Sequence, residues 1–143
     1  VTDPSSVGDA IERAHSELGP VDGLVHLVGA WQGGTPTHLV EPHDWDRMLE
    51  VNLTSAFLCS RAVLPSMIER NQGRIVFVSS RTAHSDRAGQ VGYAVAKAGV
   101  IRLTTALGTV NGVRVNCVCP HTVATEAVLR EVFQHEIAPV IQR

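Results

Sequence analysis

Three short apolar runs, GLVHLVGA (residues 23–30), GRIVFVSS (73–80) and GVRVNCVCP (112–120), are separated by long segments whose apolar residues recur at helical spacing. This alternation is the tightest constraint on the fold. Strands joined through helices pair in parallel by right-handed crossovers, which implies an α/β, doubly wound parallel sheet with helices on both faces. Nearly continuous apolar runs fit strands buried on both sides, and ligands of such sheets bind at the carboxyl ends of the strands.

The connecting segments carry their own punctuation. Asp3-Pro4 predicts a helix start, with Asp as cap and Pro in the first turn, and Val7, Ile11, Ala14 and Leu18 continue it until Gly19-Pro20. Residues 29–41, rich in Gly and Pro, read as a loop; residues 43–70 read as a long helix kinked at Pro65. A polar loop over 81–91, a second long helix over 93–107 and a weaker helical pattern over 126–143 complete the chain. With no repeat or linker, residues 1–143 read as a single partial domain, and an opening at Val1 in the middle of such a pattern reads as a fragment.

Composition narrows the function classes. Of 143 residues 44% are hydrophobic and 18% charged, and 12 basic against 14 acidic side chains give a net charge of −2 with no basic run. Nucleic acid and anionic membranes are poor partners for such a surface. No unbroken apolar run reaches the roughly 18 residues of a membrane span, and no secretory leader is recognisable. Cys59, Cys117 and Cys119 are too few for a disulfide framework, and Cys117-x-Cys119 lacks the second pair of a zinc site, so no metal is expected. The three read as reduced core thiols of a cytoplasmic chain.

One detail stands out. Eleven of the twelve basic residues are Arg, so Lys97 is the only lysine, and Tyr93, four residues before it, is the only tyrosine. On a helix the two side chains share a face one turn apart. An ammonium at that distance favours the phenolate and so draws a phenol toward neutral-pH acid–base chemistry. A hydroxyl from Ser80, at the end of the second run, is placed to hydrogen-bond a carbonyl or alkoxide. If Tyr93 moves the proton, a cofactor must carry the hydride, because no side chain does.

At these residues the sequence resembles the short-chain dehydrogenases/reductases, NAD(P)-dependent oxidoreductases with a Rossmann fold, over essentially its whole length. Tyr93-Ala94-Val95-Ala96-Lys97 matches the family's YxxxK, Ser80 lies thirteen residues before Tyr93 where the catalytic serine falls, and Asn52 matches the asparagine that holds a water in the family's proton relay. Pro120 and Thr125 match the PGxxxT segment, so the resemblance places Val123 and Thr125 at the nicotinamide carboxamide and Lys97 at the nicotinamide ribose. Of the family's NNAG, here His26-Leu27-Val28-Gly29, only Gly29 survives, which leaves Val28 and Gly29 beside the cofactor and His26 as a core or supporting histidine. His121 replaces the usual Gly. Trp31, Arg81 and His121 are candidate substrate contacts, although packing suits Trp31 and Trp45, and a solvated loop suits Arg81 and His84.

The family's glycine-rich phosphate turn has no counterpart, because residues 28–34 run into Thr35-Pro36-Thr37 instead of a helix start. The choice between NAD and NADP is therefore unreadable, and the isolated chain is expected to show little turnover. By resemblance the two long helices pair copies into a homo-oligomer, a dimer or tetramer, acting on a small-molecule alcohol or carbonyl. The rival reading is a non-catalytic scaffold that associates through the same helices and binds no dinucleotide.

Overall fold

The computed structural model describes residues 1–85, 88–121 and 123. Helix α1, Pro4–Leu18, begins where the sequence predicts: Asp3 caps it, its carboxylate accepting from the Ser6 N–H, and Pro4 opens the first turn. The Ser6 and Ser5 contacts hold the Asp3 carboxyl down to about 2. Val7 is buried, but Leu18 is 87% exposed and does not join the apolar stripe.

Strand β1, Gly23–His26, leads through a loop containing a 3-10 turn, Thr37–Leu39, into a helix from Pro42 to Glu69. Its first part is α2, Pro42–Leu49; a π-turn, Glu50–Thr54, interrupts it; and α3, Ser55–Glu69, continues through Pro65. This helix is long and apolar enough to cross a membrane, which no unbroken run suggested. Here its Ala56, Val63 and Met67 are buried in the core against the sheet, so it serves as a core helix. Strand β2, Gly73–Val78, a 3-10 turn, Arg81–His84, helix α4, Val91–Leu107, and strand β3, Val113–Val118, follow. The helical pattern expected over 126–143 lies outside the described residues, as does Thr125.

The strands pair in parallel in the order β1-β2-β3, with His26 opposite Phe77 and Phe77 opposite Cys117. Helix α3 packs on β1 and β2, α4 on β2 and β3, and α1 on α3. The strands are shorter than their apolar runs, and among the described residues their burial alternates. Ile75, Phe77 and Val113 are buried, whereas alternate residues Val25 (62% exposed), Arg74, Arg114, Asn116 and Val118 face outward. Successive right-handed crossovers that step the same way bring their helices to the same side of a sheet. Among the described residues only that side is covered.

Glycines fit the tightest connection. At Gly112, φ is +76°, and a side chain there would meet the Asn71 backbone at 2.6 Å. Its carbonyl accepts from the Gly73 N–H (3.1 Å), which knits the entries of β2 and β3.

Candidate active site

The carboxyl ends of the three strands are laced together. The Ser79 N–H donates to the Val118 carbonyl (2.8 Å), the Arg81 N–H to the Pro120 carbonyl (3.0 Å), and the Gly34 N–H to the Gly89 carbonyl (2.8 Å). The segments after β1, β2 and β3 and the approach to α4 thus share one rim. Tyr93 and Lys97, both on α4, reach this rim with the spacing the sequence predicts: Lys97 Nζ lies 5.7 Å from the Tyr93 ring centroid.

Lys97 is 5% exposed, and its Nζ donates to the Val78 carbonyl (2.9 Å). Burial lowers its pKa, opposed in part by nearby Cys117. The two serines after β2 divide by strand alternation. Ser79, on the buried face, donates its hydroxyl to the Lys97 carbonyl (2.7 Å) and so ties α4 to the sheet. Ser80, on the other side, accepts from the Thr82 N–H (3.1 Å), which leaves its own proton for another acceptor. The tie made by Ser79 was not anticipated, though the Ser-Ser doublet at a strand end and the period of two carry the signal.

Asn52 lies within the π-turn and is 1% exposed. Its Nδ2 donates to the Ala30 carbonyl (2.9 Å) and the Met48 carbonyl (3.1 Å), and its Oδ1 accepts from the Ala30 N–H (3.2 Å). The amide therefore pairs with Ala30 as a neighbouring strand would, and pins the chain where β1 has ended. The same wide turn displaces the backbone ladder, as π-turns at functional sites commonly do. Gly29 explains itself sterically: a methyl group there would sit 2.9 Å from Asn52 Oδ1 and 3.2 Å from Lys97 Nζ. Asn52 and Lys97 thus both border Gly29, and the Tyr93 ring lies beside Lys97.

The remaining candidates are spread around the rim. Val28 and Val123 are exposed, Pro120 is half-buried, and Arg81, His84 and His121 lie at the surface. Trp31 is exposed along its strand-end loop, with its indole across Gly33 beside Gln90, while Trp45 is half-buried on α2. Among the thiols, Cys59 and Cys117 are half-buried, but Cys119 is exposed and is not a core residue. No group of three or more metal-ligating side chains comes together among the described residues.

His26 is 5% exposed and meets Phe77 edge-on at 6.2 Å; its Nε2 has no hydrogen-bond partner among the described residues. Burial and then the Lys97 charge lower its pKa below 6.5. Unfolded chains take up a proton near that pH while the folded imidazole resists it, so acidification favours unfolding. Stability is expected to fall from about pH 6.5 down to the folded pKa, and His26→Asn should flatten that slope. Urea unfolding at a series of pH values checks this, and an unchanged slope in the variant would assign the loss elsewhere.

A family model described as short chain dehydrogenase matches residues 1–136. The chain belongs to this family. Acetoacetyl-CoA reductase of Rhizobium meliloti is 37% identical over 139 residues, covering 93% of this chain and 57% of the relative. The inactive 2-(S)-hydroxypropyl-CoM dehydrogenase 2 of Xanthobacter autotrophicus is 34% identical, covering 99% of this chain and 63% of the relative. A gluconate 5-dehydrogenase from Burkholderia cenocepacia, solved with NADP and tartrate, superposes with a TM-score of 0.86 at 28% identity, covering 96% of this chain and 54% of that one. The chain thus spans only a little over half the length of such short-chain dehydrogenases, and its parallel sheet is the Rossmann-like α/β sheet of that family.

Proposed function

We propose that residues 1–143 are the catalytic portion of an NAD(P)-dependent oxidoreductase that interconverts a secondary alcohol and its carbonyl. The observation that carries this reading is the approach of Asn52 and Lys97 to Gly29 beside the strand ends, with the Tyr93 ring next to Lys97. One of the relatives is named inactive, so membership of the family does not by itself supply an activity. The reading rests on the four side chains.

The residues fit the nicotinamide half of a dinucleotide. Lys97 uses one of its three ammonium protons on Val78, and Gly29 leaves no side chain where the backbone comes closest to that ammonium. Val28, Gly29, Pro120, Val123 and Thr125 would border this half, and Tyr93 and Lys97 would meet its ribose. When bound, the dinucleotide supplies the hydride.

The chain's own residues handle the oxygen and the proton. Ser80 donates its hydroxyl proton to the substrate oxygen. Tyr93 gives its phenol proton to that oxygen in reduction and takes it back in oxidation. The Lys97 ammonium stabilises the charge left on the phenol oxygen. Asn52 fixes the chain after β1 so that Gly29 stays against Lys97, and its helix is where the proton relay would continue. Trp31, Arg81 and His121, all at the rim, would set the shape of the substrate pocket. Copies would pair through the long helices, where Phe57, Ile68 and Val95 are exposed.

Hydride exchange between NADH or NADPH and a panel of ketones and secondary alcohols, followed in the protein that carries this segment at the length of its relatives, tests the proposal. Saturable turnover with at least one carbonyl is expected. No saturable binding of either dinucleotide, together with no turnover on any of the panel, would return the chain to the scaffold reading.

A further inference from the structure

Helix α4 carries Tyr93 and Lys97, yet its own sequence does not cap it. Gln90, just before the first turn, makes no side-chain cap bond, and no acidic residue stands in that turn. The Gln90 Oε1 is buried with no hydrogen-bond partner among the described residues. Tyr93 follows Gln90 by three residues, in the part of a helix that frays first when its N–H groups lack a cap. Support comes from the loop after β1. The Gly34 N–H donates to the Gly89 carbonyl (2.8 Å), and the two glycines, at φ +95° and +76°, lie so close that a methyl group on Gly89 would meet the Gly34 backbone at 3.3 Å. A methyl group on Gly33 would lie 2.7 Å from the Trp31 indole and 3.1 Å from Gln90 Cγ, so both side chains cover Gly33. At the other end of this stretch, Ala30 is held by the Asn52 amide.

We propose that residues 30–34 are a strap that stands in for a helix cap: pinned by Asn52 at Ala30 and by Gly89 at Gly34, it keeps the first turn of α4 wound and Tyr93 one turn from Lys97. Gly34 and Gly89 are positioning residues, and their effect on turnover rests on the oxidoreductase reading above. Only glycine combines the left-handed backbone at both positions with so close an approach. Lys97 is fixed separately, by the Val78 carbonyl, so loosening the strap moves the phenol away from the ammonium instead of shifting both together. Met48 of α2 closes on the same turn, its Cβ 3.1 Å from where a Gly92 side chain would begin, which leaves the strap as the movable support.

Amide hydrogen exchange in the 143-residue chain tests the strap without any turnover. In the wild type, the Gly34 N–H and the Ala94 N–H, which donates to the Gln90 carbonyl (2.8 Å), are expected to exchange through one shared opening, ahead of the amides of Val100 to Leu103 in the same helix. Gly89→Ala should speed both and leave Val100 to Leu103 unchanged, and the ring signal of Tyr93, the only tyrosine, should shift with them. Gly33→Ala, which imposes no left-handed strain, should act in the same direction and add nothing to Trp31→Ala, because the ring it collides with is then gone. This pair decides if Gly89→Ala does not fold. In the protein at the length of its relatives, Gly89→Ala should lower kcat by on the order of 10²-fold while KM and dinucleotide affinity hold, since small displacements of a reacting group are costly. Unchanged exchange at Ala94, or faster exchange along all of α4 alike, would overturn the strap. Loosening confined to the first turn with kcat intact would overturn its positioning role. A wild-type protein without turnover would remove the oxidoreductase reading alone, because exchange at Gly34 and Ala94 still decides whether the strap holds α4.

Discussion

Tyr93→Phe is expected to lower turnover by on the order of 10²–10⁴-fold, the range that a positioned general acid or base contributes. The substitution removes one oxygen and keeps the ring. The half-buried ring can therefore go on packing in the first turn of α4, and Lys97, held by the Val78 carbonyl, keeps its place 5.7 Å from the ring centroid. Thermal stability and dinucleotide affinity should change little, because the lost hydroxyl proton matters only when an oxygen on the substrate gains or gives charge. The loss should fall on kcat and kcat/KM alike. Steady-state kinetics with the best carbonyl substrate, alongside a melting curve, separates this from a folding defect. A variant within about twofold of wild type would mean that the proton comes from elsewhere, and Ser80 would then need re-examination as more than a hydrogen-bond donor.

Much of this site is legible in local pattern because its spacings are set by helices. Asp3-Pro4 starts α1 as a cap and first turn must, and Tyr93 and Lys97 share a helix face at any point in the fold. The strand alternation that sends Ser79 inward and Ser80 outward is equally local. What a single sequence hides is direction in space. An apolar run identifies a strand but not how many of its faces are covered, which depends on whether successive crossovers step the same way. Here they do, from β1 to β2 to β3, so α3 and α4 share a side and Val25 and Val118 are left outside. Leu18 misleads too: it keeps the helical period but is the last residue of α1 and is exposed. The π-turn at Asn52 leaves no trace in residue type, since Glu50, Val51, Asn52, Leu53 and Thr54 all suit an ordinary helix end or interior. Only the pairing of the Asn52 amide with Ala30, twenty-two residues away, gives the turn its purpose.

Phe77→Ala is expected to destabilise the fold by about 3–5 kcal/mol, the usual range for removing a buried Phe ring, against a total margin of roughly 5–15 kcal/mol. Phe77 is fully buried near the carboxyl end of β2, the middle strand, with His26 beside it on β1 and Cys117 on β3, and it belongs to one cluster with Val63, Met67, Ile75 and Val100. A cavity there touches both α3 and α4 and removes the ring against which the His26 imidazole sits edge-on. At about 3–4 °C per kcal/mol for a chain of this size, Tm should fall by roughly 10–20 °C. Val25→Ala supplies the contrast, because Val25 is 62% exposed on the other side of the same sheet and its truncation should stay within about 0.5 kcal/mol. The two variants measured together in the 143-residue chain test the one-sided sheet directly. Equal losses at both positions would mean that the outer face is packed after all, whereas a large loss at Phe77 alone shows that the stabilising contacts of the strands lie on the side where Lys97, Asn52 and Ser79 are held.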